Sequence, residues 1–255
     1  MNIIVIMKQT FDTEEKITIK DGQINESGVN YIINPYDEYA LEEAIKLKEE
    51  FGGEVTLISI GPDRVESSLR VGLAVGVDKA ILVDDEALFG DEYTTSKVLA
   101  AIIKDLSYDI ILGGNMSVDN GSGQVAQRLA EELDISHVGT VTSLKVESGV
   151  AIVERDAEGN TEIIEAPLPL LLTAQQGLND PRYPSLPGIM KAKKKPIQHI
   201  NASDLGINPE EIKAQTVVTD VFLPPEKKAG KVLSGEIPEQ AKELVNLLRS
   251  EAKVI

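Results

Sequence analysis

Asp109-Ile110-Ile111-Leu112-Gly113-Gly114-Asn115-Met116-Ser117-Val118-Asp119-Asn120-Gly121-Ser122-Gly123-Gln124 is the stretch that decides the fold. Its first third is an unbroken apolar run, the pattern of a strand buried on both faces. A glycine-spaced loop follows, and 123–133 then reads as a helix. A strand that ends in glycines and hands over to a helix is the building unit of a parallel α/β sheet. In open sheets of that kind ligands bind beyond the carboxyl ends of the strands. The glycines permit close backbone approach, and Ser122, the amides of 121–124 and the helix dipole would hold an anion. No Gly-Lys-Ser/Thr follows, so this is not a Walker loop. Nor does Gly-x-Gly-x-x-Gly follow the first strand. Alone, the loop reads equally as a capped turn.

Upstream the same alternation repeats. Residues 3–7 form a short apolar strand. Lys16-Ile17-Thr18-Ile19-Lys20 alternates in period two and runs into the turn Asp21-Gly22. Asn34-Pro35-Tyr36-Asp37-Glu38 predicts a helix start: Asn34 as N-cap, Pro35 in the first turn and acids facing the dipole. That helix ends at Gly52-Gly53. Strands over 55–60 and 80–83 alternate with helices over 64–75 and 94–106. Ile6, Asn34-Pro35 and Ile60-Gly61 thus fall at strand ends or helix starts, which a parallel sheet gathers on one edge. Downstream of Asp134 the pattern changes. Runs over 138–146, 150–155 and 161–165 read as β-strands with a hairpin at 156–160, before one more buried strand over 170–174. The expected fold is an α/β parallel sheet with added antiparallel strands. A C-terminal arm, 201–255, carries two weak helices at 209–213 and 238–250.

The chain has 255 residues, of which 42% are hydrophobic, enough for a full core. Its 42 acidic against 25 basic residues leave a net charge of −17, which argues against nucleic acid or an anionic membrane as its main partner. No apolar run is long enough to span a bilayer. With no cysteine there is no thiolate catalysis, disulfide or cysteine-held metal, and two histidines are too few for a histidine metal site. The opening strand lacks the marks of a signal or transit segment, and the expectation is a bacterial cytoplasmic protein. Candidate catalytic groups are weak: there is no nucleophile elbow, the acidic pairs sit on helix faces, and His137 opens a strand as a structural or solvent-facing residue.

A second segment stands out, Asn179-Asp180-Pro181-Arg182-Tyr183-Pro184-Ser185-Leu186-Pro187-Gly188-Ile189-Met190-Lys191-Ala192-Lys193-Lys194-Lys195. It puts four lysines within five residues of an acidic chain, behind the apolar Leu186, Ile189 and Met190. The prolines are expected to keep it irregular. It reads as an ordinary solvated charge run, or as a docking loop with an apolar anchor and a basic collar of Lys191, Lys193 and Lys194.

Over nearly its whole length the sequence resembles the β subunits of electron-transfer flavoproteins. The likeness is carried by the opening strand with Lys8, Asn34-Pro35-Tyr36-Asp37-Glu38, Ser59-Ile60-Gly61-Pro62, 119–124, Val153-Glu154-Arg155 and, most specifically, 179–195. It implies an adenine-nucleotide-binding, Rossmann-like domain over 1–200, with the partner-recognition loop at 179–195. The C-terminal arm would pack on an α subunit. It further implies an electron carrier rather than an enzyme. Such a subunit passes electrons from acyl-CoA dehydrogenases or other flavin dehydrogenases, as in fatty acid β-oxidation, to the respiratory chain through an FAD held mainly by the α subunit. A structural AMP would be enclosed by Ile6, Asn34, Pro35, Tyr36, Asp37, Ile60, Met116 and Val125. Asp119, Asn120, Gly121, Ser122, Gly123 and Gln124 would face its phosphate or cap the helix, and Leu186 would be the docking anchor. Phe11 is the sole aromatic just after the first strand, where some relatives set one against the flavin. One alternative is an electron-bifurcating member with a second FAD in place of AMP. Another is a free-standing adenine-nucleotide-binding protein of the stress type.

Overall fold

The computed structural model describes residues 1–227 and 229–255. Thirteen strands and seven α-helices follow one another as β1 (Asn2–Ile6), β2 (Gln9–Phe11), β3 (Ile19–Lys20), β4 (Gln23–Ile24), β5 (Tyr31–Ile33), α1 (Pro35–Phe51), β6 (Glu54–Ile60), α2 (Glu66–Val75), β7 (Lys79–Val83), α3 (Glu92–Ile103), β8 (Ile110–Gly114), α4 (Val125–Glu132), β9 (Ser136–Glu147), β10 (Val150–Ala157), β11 (Asn160–Pro167), β12 (Leu170–Ala174), α5 (Leu186–Ala192), β13 (Gln198–Ile200), α6 (Ala202–Leu205) and α7 (Ile237–Leu247).

Nine strands form one sheet in the order β11-β10-β9-β12-β8-β1-β6-β7-β13. From β9 to β13 all neighbours are parallel; β10 and β11 extend the sheet antiparallel. The α/β class and the added antiparallel strands are as the sequence predicts. The apolar runs of β1, β6, β8 and β12 explain the centre of the sheet. Alternate residues of each face opposite helical layers. Ile3, Val5, Leu57, Ile110 and Leu172 pack with Leu41, Ala44 and Leu69 of α1 and α2. Ile4, Ile6, Ile58, Ile111 and Leu171 pack with Val98, Ile102 and Leu129 of α3 and α4.

The chain divides into two compact units. One comprises Met1–Ile17 and Glu26–Thr219 and contains the large sheet; the other comprises Thr18–Asn25 and Asp220–Ile255. The second unit holds the β3–β4 hairpin and α7, which continues into a π-helical turn over Leu248–Ala252. None of the described helices is long and apolar enough to cross a membrane.

One expectation is corrected. The 179–195 segment is not irregular throughout, because 186–192 forms α5. Ser185 caps it, accepting from the Gly188 amide at 3.2 Å, and Pro187 sits in the first turn, where its missing N–H costs no helical bond.

Candidate functional site

The chain leaves β1 for β6 and β7 on one side of the sheet, then returns to lay β8 on the other. The order therefore reverses at β1, and a crevice opens beyond the carboxyl ends of β1 and β8. A cavity of about 270 Å³ occupies it. Its walls are the ends of β1, β6 and β8, the start of α1, the loop 115–124 with the first turn of α4, and a segment from Phe89 to Leu99.

Asp37 fastens the crevice. It lies on the first turn of α1, is buried, and accepts the Lys8 amide at 2.7 Å with one carboxylate oxygen and the Gly114 amide at 2.8 Å with the other. It thus ties the ends of β1 and β8 together. Burial pushes its carboxyl up to about 7, against the pull of the Lys8 amide, the Asn34 side chain and the Gly114 amide. The close fit requires a glycine at 114, since a Cβ there would strike the Asp37 carboxylate and lie 2.7 Å from Tyr36 Cβ. Asn34 stands at the N-cap position, but its side chain does not cap the helix. It reaches across instead, donating to the Met116 carbonyl at 2.9 Å and accepting the Val118 amide at 3.1 Å. Helix start and glycine loop are thereby locked together.

Within the loop, Asn120 Oδ1 accepts from Ser117 Oγ at 2.9 Å and from the Ser122 amide at 3.2 Å, and Asn120 Nδ2 donates to Glu92 at 3.2 Å. Gly121 and Gly123 adopt left-handed backbone, φ +65° and +59°. At Gly123 a Cβ would also lie 3.3 Å from the Asn115 carbonyl. The first-turn amides of α4 have no partner within the helix, and a helix start of this kind favours an anion.

The structure brings Ile6, Asn34, Asp37, Ile60, Met116, Asn120, Ser122, Gly123, Gln124 and Val125 to the cavity wall. Pro35, Tyr36, Asp119 and Gly121 stand beside it, outside the lining. Tyr36 turns to a separate polar hollow with Thr142 and Gln175, and Asp119 is paired with Lys8. The wall from Phe89 to Leu99 escaped the sequence reading. It follows the end of β7, so the strand-end logic that found Ile6 and Ile60 points to it as well. Asp91 there caps α3, accepting the Thr94 amide at 3.1 Å, and its other oxygen holds the amides of Gln215 at 2.7 Å and Thr216 at 2.9 Å.

Leu186, Ile189, Met190, Lys191, Lys193 and Lys194 come together on and just after α5, on the outside of the molecule. Leu186 is 73% exposed and Met190 63%, while Ala192 is buried and Gly188 abuts the Ala74 carbonyl of α2. Arg70 holds the helix end through the carbonyls of Ala192, at 2.8 Å, and Lys195. The approach to α5 is pinned on α1. Arg182 forks onto Glu42, at 2.9 Å, and Glu49, at 2.6 Å, and Asn179 binds the Tyr39 carbonyl and Glu43. His137 is half-buried on β9 with Nε2 unpartnered; burial and the nearby Arg155 lower its pKa. Phe11 stacks on Tyr31 at 5.2 Å, and the Arg64 guanidinium covers Tyr31 at 3.7 Å.

A family model described as "Electron transfer flavoprotein domain" matches residues 21–205. An electron transfer flavoprotein subunit beta of Bacillus subtilis is 55% identical over the full length of both chains. That of Syntrophomonas wolfei is 39% identical over 100% of this chain and 98% of its own. A caffeyl-CoA reductase-Etf complex subunit of Acetobacterium woodii is 40% identical over 98% of this chain and 99% of its own. With a match of this extent, set on a fold whose strand ends gather into one crevice, the chain belongs to the electron transfer flavoprotein family, among its β subunits.

Proposed function

We propose that the crevice holds one AMP as a structural ligand. The chain would then help an α subunit retain FAD, and α5 would dock acyl-CoA dehydrogenases and related flavin dehydrogenases. The observation that carries the reading is the pairing of an anion-ready loop with a cavity of about 270 Å³ at the point where strand order reverses. That volume falls just below the usual range of ligand clefts, roughly 300–1,000 Å³, and suits a mononucleotide better than a second FAD. The polar wall would take the phosphate at Ser122 to Val125 and leave the apolar Ile6, Ile60 and Leu99 for the base. FAD, when bound, would supply all the redox chemistry. This chain's own residues would position the partner and exclude water.

On the outer side, Leu186 and Met190 form an exposed apolar pair followed by Lys191, Lys193 and Lys194. That composition suits a docking anchor steered toward an acidic partner. The arm over 201–255, with exposed Ile237, Leu244 and Val245 on α7, would pack on the α subunit. The electron path would run from cytoplasmic dehydrogenases of fatty acid β-oxidation toward the respiratory chain. The test is co-expression with the α subunit. A yellow heterodimer that accepts electrons from an acyl-CoA dehydrogenase supports the reading, and a self-sufficient monomer without flavin overturns it.

A further inference from the structure

Four charged side chains line the crevice: Lys8, Asp37, Asp91 and Glu92. The three acids are committed. Asp37 holds two backbone amides, Asp91 caps α3 and ties residues 215 and 216, and Glu92 accepts from Asn120. Lys8 is the one cation lining the crevice among the described residues. It extends from the end of β1 to the loop after β8, where its ammonium meets both oxygens of Asp119, at 2.7 and 2.8 Å, with Ser117 Oγ at 3.4 Å. Asp119 also takes the Asn120 amide at 2.8 Å. An ammonium and a backbone amide converging on one carboxylate are the donors that a phosphate group takes.

We propose that Lys8 is the phosphate-recognising residue of the crevice and that Asp119 is its internal stand-in, so that a nucleoside monophosphate binds by drawing Lys8 away from Asp119. The inference rests on the crevice being a nucleotide site. The Lys8 side chain is 44% exposed and that of Asp119 24%, so water screens the pair and it is weakly held. A phosphate beside the first turn of α4 carries more charge and three acceptor oxygens, and it adds the helix amides to the lysine. A released Asp119 keeps the Asn120 amide as a partner. Burial opposes its ionisation, but Lys8, Ser117 and the Asn120 amide outweigh it and hold the carboxyl below its ordinary range, so Asp119 carries the charge that a stand-in for phosphate needs. A neutral nucleoside cannot make the exchange. Lys8 and Asp119 therefore set which adenine ligands are admitted, by charge rather than by shape.

The test is calorimetric titration of the FAD-replete, nucleotide-free complex of this chain with its α subunit, using AMP and adenosine as probes. The wild type is expected to prefer AMP. Lys8→Met should weaken AMP by about 10–100-fold, the range of a charge-assisted hydrogen bond, and leave adenosine unchanged. Lys8→Arg should restore most of the preference. Asp119→Asn should tighten AMP by about 2–5-fold, the release of a screened ion pair, with adenosine again unmoved. An Asp119→Asn protein that binds AMP more weakly, or a Lys8→Met protein with the AMP preference intact, overturns the exchange. Equal binding of AMP and adenosine by the wild type removes the role of Lys8 while keeping the nucleotide site. No binding of either removes the site itself. Urea midpoints of the variants, expected to match the wild type because both side chains reach water, separate loss of binding from loss of fold.

Discussion

The crevice and the α5 platform solve opposite problems with the same chain. The crevice is concave and hides polar groups: Asn34 and Asp37 are 1% and 5% exposed, and hydrogen bonds to neighbouring backbone satisfy both. The platform is convex and displays apolar ones. Its small residues, Gly188 and Ala192, face inward against α2, and its large residues, Leu186 and Met190, face water, which inverts the usual amphipathic helix. A buried carboxylate needs hydrogen-bond partners, and an exposed apolar patch is a candidate for contact with another surface. Mutations at the buried polar groups of the crevice should therefore cost stability and ligand together, whereas those at the exposed Leu186 and Met190 should cost recognition alone.

The sharpest way to break that contrast is Gly114→Val. Its side chain collides with Asp37 and Tyr36, and the expected cost is about 3 kcal/mol in urea unfolding, together with loss of nucleotide. A folded, nucleotide-loaded variant would show that the junction is looser than described. Next comes Asp37→Asn. The folded protein holds the Asp37 proton to about 7 against an ordinary 3.8, so between those values it binds more protons than the unfolded chain. The stability Asp37 contributes is greatest at low pH, falls as pH rises toward 7, and is flat above. The wild-type-minus-variant difference should fall with pH by at most about 1.4 kcal/mol per unit, and a flat difference over that window would contradict the buried environment.

On the platform side, Arg182→Ala strips Glu42 and Glu49 of their partner. With Arg182 itself a third exposed, the expected loss is about 1–2 kcal/mol, accompanied by slower dehydrogenase turnover and unchanged nucleotide content. Smallest in stability is Leu186→Ala, within about 0.5 kcal/mol of wild type. Electron acceptance from the dehydrogenase should nevertheless drop about tenfold, as for an interface anchor, with flavin content unchanged. Unaltered transfer kinetics would remove the docking role.

The same contrast explains what could be read from the sequence. β1, β6, β8 and β12 announce themselves because strands buried on both faces need unbroken apolar runs, and the loop 113–124 because glycines stand where the backbone turns. The added strands after Asp134 were legible as hairpin chemistry. The helix α5 was not. Three prolines within 181–187 mask it, and its inverted face offers no apolar stripe to the inside. The Phe89–Leu99 wall follows the end of β7, so the strand-end rule reaches it, but no glycine-rich or charged run marks it out. Asn34 sits at the start of α1 as its type predicts, yet its side chain serves the loop across the crevice, a long-range bond that local propensity does not encode. The partner of Asp119 was hidden for the same reason, since 111 residues separate it from Lys8.

The central claim is that the concave site holds a small nucleotide while the redox flavin is held mainly by the partner subunit. Acid extraction of the purified heterodimer, followed by chromatographic quantification, tests it most directly. The account predicts one AMP and one FAD per heterodimer. Two FAD without AMP, or FAD with no second nucleotide at all, would contradict it.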